Sequence, residues 1–119
     1  MKELIISKAK EMLGKPYKWG GATPEEGFDC SGFVFYAYKN STGIDIGRTT
    51  CDQIKQGISI VKNQLQIGDV IFFGSEDIPH HVGIYLGNDE YIHAPKSGDV
   101  IKISKLSNRS DYVTARRYF

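Results

Sequence analysis

The chemistry of this chain turns on Cys30, which stands in Gly27-Phe28-Asp29-Cys30-Ser31-Gly32-Phe33, where an apolar helical run begins. A thiol in the first turn of a helix faces unsatisfied N–H groups and the positive end of the helix dipole. Both favour the thiolate, the nucleophilic form. The same N–H groups can receive the oxyanion of an acyl-transfer intermediate. Ser31 and Gly32 leave room for a substrate carbonyl. The plain alternative is a small buried hydrophobe, the usual state of a free cysteine. Cys51 lacks these surroundings and reads as a packed or idle helix cysteine.

A nucleophilic cysteine needs a base and a group that orients the base. The three histidines are His80, His81 and His93. Strand side chains alternate, so His80 and His81 point to opposite faces. If Gly87 to Asp89 form a hairpin loop, Leu86 pairs with Glu90, Tyr85 with Tyr91 and Gly83 with His93. His81 and His93 then share a face as diagonal neighbours, roughly 7–8 Å apart at the backbone and within reach of their rings. Gly83 leaves them space. A slip of one residue would put the rings on opposite faces. An exposed strand end is the plain reading and suits His80. A metal site built from Cys30, His80, His81 and His93 is disfavoured, because adjacent histidines diverge and no Cys-x-x-Cys spacing supports it.

The elements that must position these groups follow from hydrophobic period and end signals. Leu4, Ile5, Ala9, Met12 and Leu13 predict a helix over Lys2–Leu13, ended by Gly14 and Pro16. Tyr17-Lys18-Trp19-Gly20-Gly21-Ala22-Thr23-Pro24 is a glycine-rich loop, either a turn with a packed Trp or a groove wall. Asp29 is a plausible N-cap for a helix from Cys30 through Tyr38, ended by Asn40 to Gly43. A short helix is expected from Thr49 or Thr50 through Gln56. Val70–Phe73 reads as a central strand buried on both faces. His81–Leu86, Glu90–Ala94, Val100–Ile103 and Tyr112–Arg116 complete the strands. Helices first and strands later in one small chain indicate an α+β fold with helices packed on an antiparallel sheet.

With 119 residues, a single domain spanning 1–119 is expected. Fifteen basic and fourteen acidic residues leave a net charge of +1, no basis for nucleic acid or anionic membrane as partner. Arg116-Arg117 reads as a solvated strand end. Two cysteines are too few for a disulfide framework, though a single Cys30–Cys51 bridge is open on arithmetic. No run is long enough to span a bilayer. The N-terminus lacks an apolar core and cleavage site of the secretory type. An intracellular protein, or a domain cut from a longer exported one, is therefore expected.

A Cys followed by one His and then a second polar residue is the papain-type order of nucleophile, base and orienter. The chain resembles the NlpC-type cysteine peptidases, papain-like endopeptidases of bacterial peptidoglycan. The matching motifs are Gly14-Lys15-Pro16-Tyr17-Lys18-Trp19-Gly20-Gly21, Phe28 to Phe33, Arg48-Thr49-Thr50 with Gln53, Leu65 with Gly68 to Phe73, His81 to Gly87, and Tyr91-Ile92-His93-Ala94-Pro95. They stand in family order and cover nearly the whole chain.

The resemblance implies a papain-like fold with Cys30 as nucleophile, His81 as general base and His93 as its orienter. It implies that Tyr17 helps with the oxyanion or substrate amine. Asp29 and Ser31 match positions that in some members contact the free N-terminus of a stem peptide. Their plain alternatives are packing for Tyr17, a cap for Asp29 and a small helix residue for Ser31. Arg48 and Gln53 match without a derivable role; Arg48 is expected to pair with a carboxylate of the protein itself. The implied substrate is a γ-D-glutamyl–diamino-acid amide of a peptidoglycan stem peptide, hydrolysed by a monomer without cofactor or metal. A related thiol amidase or acyltransferase, a wall-binding module without catalysis, and a structural domain with a buried Cys30 stay open.

Gly47 departs from the family, which often has Pro there, and Cys51 occupies a usually small position. The family acts outside the cytoplasm, so a secreted or wall-associated location is expected. The chain would then be part of a longer protein, or a phage or mobile-element protein delivered by other means.

Overall fold

Helix α1 spans Lys2–Glu11, and the computed structural model describes all residues from 1 to 119. The helix stops two residues before the predicted Leu13. Met12 forms its C-cap, and Gly14 takes a left-handed turn at φ +84°. Strands β1 (Ala22–Thr23) and β2 (Gly27–Phe28) form a small hairpin that periodicity does not announce. Helices α2 (Cys30–Thr42) and α3 (Thr50–Ile54) follow. Strands β3 (Ile58–Ile60), β4 (Val70–Gly74), β5 (Pro79–Gly87), β6 (Glu90–His93), β7 (Lys102–Lys105) and β8 (Tyr112–Arg117) form one sheet. Its order is β3-β8-β4-β5-β6-β7, with every pairing antiparallel.

The predicted central strand is central. Val70 and Phe72 of β4 join the main core with Ile5 and Ala9 of α1, Phe33, Val34 and Ala37 of α2, and Val82, Ile84 and Ile92 of the sheet. Ile71 and Phe73 point the other way, into a second cluster with Tyr91, Leu106 and Ala115. Each fully buried side chain of this size contributes about 1.5–3 kcal/mol by leaving water.

Two register details differ from expectation. The β5–β6 hairpin pairs Tyr85 with Tyr91 as predicted, but Glu90 faces Gly87 instead of Leu86, through a bulge. Asn88 and Asp89 both take positive φ, so the loop is a two-residue turn of the kind that suits strand twist. The seventh strand begins at Lys102, not Val100. Val100 and Ile101 are drawn instead to the segment after α1: Pro16 bridges Val100, and Ile101 exchanges backbone hydrogen bonds with Gly14 and Lys15.

The Arg116-Arg117 pair is not a solvated strand end. Arg117 grips the buried Asp69 carboxylate through Nε at 2.7 Å and Nη2 at 2.8 Å. Arg116 donates to the backbone carbonyl of Ile54 at 2.9 Å. The two cations tie the end of β8 to the start of β4 and to α3.

Candidate active site

Cys30 opens α2. Asp29 caps that helix, its Oδ1 accepting the Gly32 N–H at 2.7 Å from an extended backbone. The helix packs against β5. Backbone hydrogen bonding from Val82 reaches the Cys30 thiol, which puts the sulfur beside the His81–Val82 peptide.

His81 and His93 share a face as the hairpin spacing predicts. His81 Nε2 lies 2.7 Å from His93 Nδ1, with the rings edge to face. Both are buried, and they stack with Phe73 and Tyr91 respectively. Gly83 leaves the β6 side chains their space: a Cβ there would sit 2.9 Å from the Tyr91 ring and 3.3 Å from His93 Cβ. His81 makes its side-chain hydrogen bond to His93 through Nε2.

A cavity of about 410 Å³ opens over Cys30. Tyr17, Trp19 and Gly20 form one wall, Arg48, Thr49 and Thr50 another, and His80 lies at the rim with Asp29 and Ser31 beside the thiol. Trp19 is 81% exposed, so the glycine loop presents a groove wall and not a packed Trp. His81 and His93 are not part of that lining; they lie behind it. His80 turns outward to Asp111, its Nε2 3.4 Å from Oδ2. No three His, Cys, Asp or Glu side chains are grouped as a metal site requires. Cys30 and Cys51 are both free thiols.

This arrangement sits in a residue pattern that matches the model of the NlpC/P60 family over residues 14–117. The chain belongs to the NlpC/P60 family. It is 39% identical to murein DD-endopeptidase MepH of Escherichia coli K12, over 97% of this chain and 45% of MepH. It is 40% identical to γ-D-glutamyl-L-lysine dipeptidyl-peptidase of Bacillus cereus, over 96% of this chain and 35% of that protein. The chain thus spans less than half the length of these relatives. The NlpC/P60 domain of the peptidoglycan hydrolase SagA superposes with a TM-score of 0.92 at 39% identity, covering 99% of both chains. RipD of Mycobacterium tuberculosis, described as a non-catalytic NlpC/P60 domain protein, superposes with a TM-score of 0.87 at 25% identity, covering 99% of this chain and 97% of RipD. NlpC/P60 domains are papain-like, so the α+β papain-like fold read from the sequence holds.

Within this NlpC/P60 domain the flanks of Cys30 are tied into one network. Arg48 places Nη1 and Nη2 each 3.1 Å from one oxygen of Asp29. Arg48 also donates to Ser31 Oγ at 3.1 Å and to the Gly21 carbonyl at 3.3 Å. The Gly20 N–H reaches Asp29 Oδ2 at 3.0 Å. Asp29 is therefore a cap, an ion-pair partner and an anchor for the Trp19 loop at once. Arg48 pairs with the protein's own carboxylate, as expected. Gly32 admits this packing, since a Cβ there would collide with the Gly21 carbonyl. Gln53 Nε2 donates to the carbonyls of Ser31 at 3.0 Å and Gly47 at 2.9 Å, pinning the first turn of α2. Gln53 Oε1 is buried without a partner.

The electrostatics correct one expectation. A helix start favours thiolate, yet the Cys30 thiol titrates above its ordinary value. Burial is the larger cause and the Asp29 carboxylate the second. Backbone hydrogen bonds from Ser31, Val82 and Cys30 itself pull the other way, as the helix start requires, and are outweighed. Burial also lowers His81 to about 3, helped by His93 and Arg109, and His93 to about 4, helped by Arg109 and Lys102. Burial thus favours the neutral form of the thiol and of both imidazoles. Tyr17 is raised by burial first and then by Cys30 and Asp29, so its hydroxyl stays a donor at neutral pH.

The sequence offered Thr49 and Thr50 only as part of a family motif and His80 only as a strand end, and it placed none of them in the cavity. It also missed Ser104, whose Oγ lies 2.9 Å from His93 Nε2. The β6–β7 register would have found Ser104, but no tight turn joins those strands to set it.

Proposed function

We propose that this chain is the catalytic domain of a cysteine endopeptidase that hydrolyses an amide bond in bacterial peptidoglycan stem peptides. The observation that carries the reading is the contact of His81 with His93, together with Cys30 in the lining of a cavity and hydrogen-bonded from the Val82 backbone next to His81. His93 occupies His81 Nε2, so Nδ1 is the nitrogen left to take the thiol proton. The thiolate then attacks the amide carbonyl, and backbone N–H groups of the first turn of α2, with the Tyr17 hydroxyl, are suited to the oxyanion. His81 returns its proton to the leaving amine, and water hydrolyses the thioester with His81 as base.

The proposed scissile bond is the γ-D-glutamyl–diamino-acid amide, supported by the family resemblance and by the name of the Bacillus cereus relative. The MepH name points to a D,D bond instead, and product analysis separates the two. Asp29 and Ser31, at the cavity edge, are the proposed contacts for the free amine of the stem peptide. The proposed site of action is the cell wall, as part of a longer protein. No metal or cofactor enters this scheme.

Purified muropeptides incubated with wild type and Cys30→Ala, read by mass spectrometry of the new termini, test the proposal. Wild type is expected to cleave and Cys30→Ala to retain binding without cleavage. Cleavage by Cys30→Ala would rule the mechanism out. Binding without cleavage by wild type would favour a wall-binding role, the function to which RipD is described as adapted.

A further inference from the structure

Strand β7 continues the diagonal that joins the two histidines. Tyr91 lies opposite Ser104 and His93 opposite Lys102, so Ser104 stands one diagonal step from His93. His93 stands in the same relation to His81, because Tyr85 faces Tyr91 and Gly83 abuts His93. The side chains close both steps, at 2.7 Å from His81 Nε2 to His93 Nδ1 and 2.9 Å from His93 Nε2 to Ser104 Oγ. Both ring nitrogens of His93 are committed.

Each bond holds one proton, and the directions must agree along the file. A neutral imidazole has one N–H and one bare nitrogen. For His81 to accept the Cys30 proton, Nδ1 must be bare, so Nε2–H donates to His93 Nδ1. His93 then carries its proton on Nε2 and donates it to Ser104 Oγ. In the opposite sense Ser104 donates, His93 Nδ1–H donates to His81 Nε2, and His81 Nδ1 is already protonated and useless as a base. When His81 becomes imidazolium during attack, only the first sense survives, because its Nε2–H needs an acceptor on His93.

We infer that Ser104 is a positioning residue: the terminal acceptor that holds His93, and through it His81, in the tautomers competent for base catalysis. His93 is 4% exposed, so without Ser104 its Nε2–H would be buried and unpartnered, the rarer and costlier kind of orphan. The bond is needed most in the charged transition state, so its loss falls on kcat and not on KM. The rate readout rests on the proposed hydrolysis; the tautomer readout does not.

The test compares wild type, Ser104→Ala and Ser104→Thr in the whole chain. Nitrogen NMR of the imidazole rings reports the tautomers without substrate, and muropeptide turnover reports the rate. The expected result is Nε2–H on both histidines in wild type and Ser104→Thr, with Ser104→Ala shifted toward Nδ1–H. Ser104→Ala should lose about tenfold in kcat, the scale of one buried hydrogen bond, at unchanged KM. Ser104→Thr should restore both. Wild-type tautomers and kcat in Ser104→Ala would overturn the inference. So would equal impairment of Ser104→Ala and Ser104→Thr, which would mark a packing role. A wild type that turns over no muropeptide yet shows Ser104-dependent tautomers would refute the hydrolase reading and leave the Ser104 assignment standing.

Discussion

Arg48 holds both oxygens of Asp29 at 3.1 Å, which joins the loop after α2 to the residue that caps α2 itself. The Asp29 side chain is 11% exposed and that of Arg48 35%. Removing Arg48 leaves a largely buried carboxylate with its two N–H donors. Solvent still reaches the guanidinium side, which softens the loss. Arg48→Ala should cost about 1–2 kcal/mol of unfolding free energy, below the range for a fully buried pair, and lower the urea midpoint accordingly. Arg48→Lys should recover only part of it, because an ammonium cannot make both bonds. A midpoint in Arg48→Ala equal to wild type would show that the cap alone satisfies Asp29.

The thiols should label in a set order. Cys51 is exposed, while Cys30 is half-buried and titrates above its ordinary value of 9.0. Iodoacetamide at pH 7 should therefore modify Cys51 first, and the Cys30 rate should climb as pH rises. Peptide mapping over time resolves the two. Faster labelling of Cys30 at pH 7 would mean that a thiolate is already present and that the neutral resting pair is wrong.

Acid should destabilise the fold through its histidines. His81 and His93 are lowered to about 3 and about 4 from an ordinary 6.5. Between those limits the unfolded chain binds more protons than the folded one, so stability rises with pH there and is lost as pH falls below about 6.5. Above 6.5 neither histidine contributes a slope. The interval from about pH 6.5 to 5 favours them, since the ordinary carboxyl values, 3.8 for Asp and 4.5 for Glu, lie below it. Urea midpoints should fall across that interval, and Arg109→Ala, which removes a cation that depresses both rings, should flatten the fall. A level profile in wild type would contradict burial in the neutral form.

Gly83→Ala should separate the rings. The new Cβ would meet the Tyr91 ring at 2.9 Å, the Ile92 carbonyl at 3.2 Å and His93 Cβ at 3.3 Å. Overpacking of this kind costs about 1–3 kcal/mol. Turnover should drop further than the stability loss explains at a temperature where the variant is fully folded. Equal kcat in folded Gly83→Ala and wild type would show that the His81–His93 contact tolerates displacement.

Much of this was legible before the fold. The helix cap at Asp29, the central place of Val70–Phe73 and the shared face of His81 and His93 all follow from period, end signals and one hairpin. The shared face survives a misplaced loop: the bulge at Leu86 moves the turn, yet Tyr85 still meets Tyr91. Long-range choices were not legible. Nothing local says that Ile101 prefers the backbone of Gly14 and Lys15 to its own strand, or that Arg117 finds Asp69 across the sheet. The raised Cys30 thiol was hidden because a helix start is visible in sequence while burial depth is not.

The file of His81, His93 and Ser104 runs outward across β5, β6 and β7, and β7 is the last strand of the sheet. An outermost strand has a neighbour on one side only, so it opens in local fluctuations that leave the rest of the sheet closed. Warming should therefore uncouple β7 before the cooperative melt. Amide exchange in Lys102–Lys105 would quicken before that of β5 and β6, and turnover in the proposed hydrolysis would fade several degrees below the temperature at which the protein unfolds.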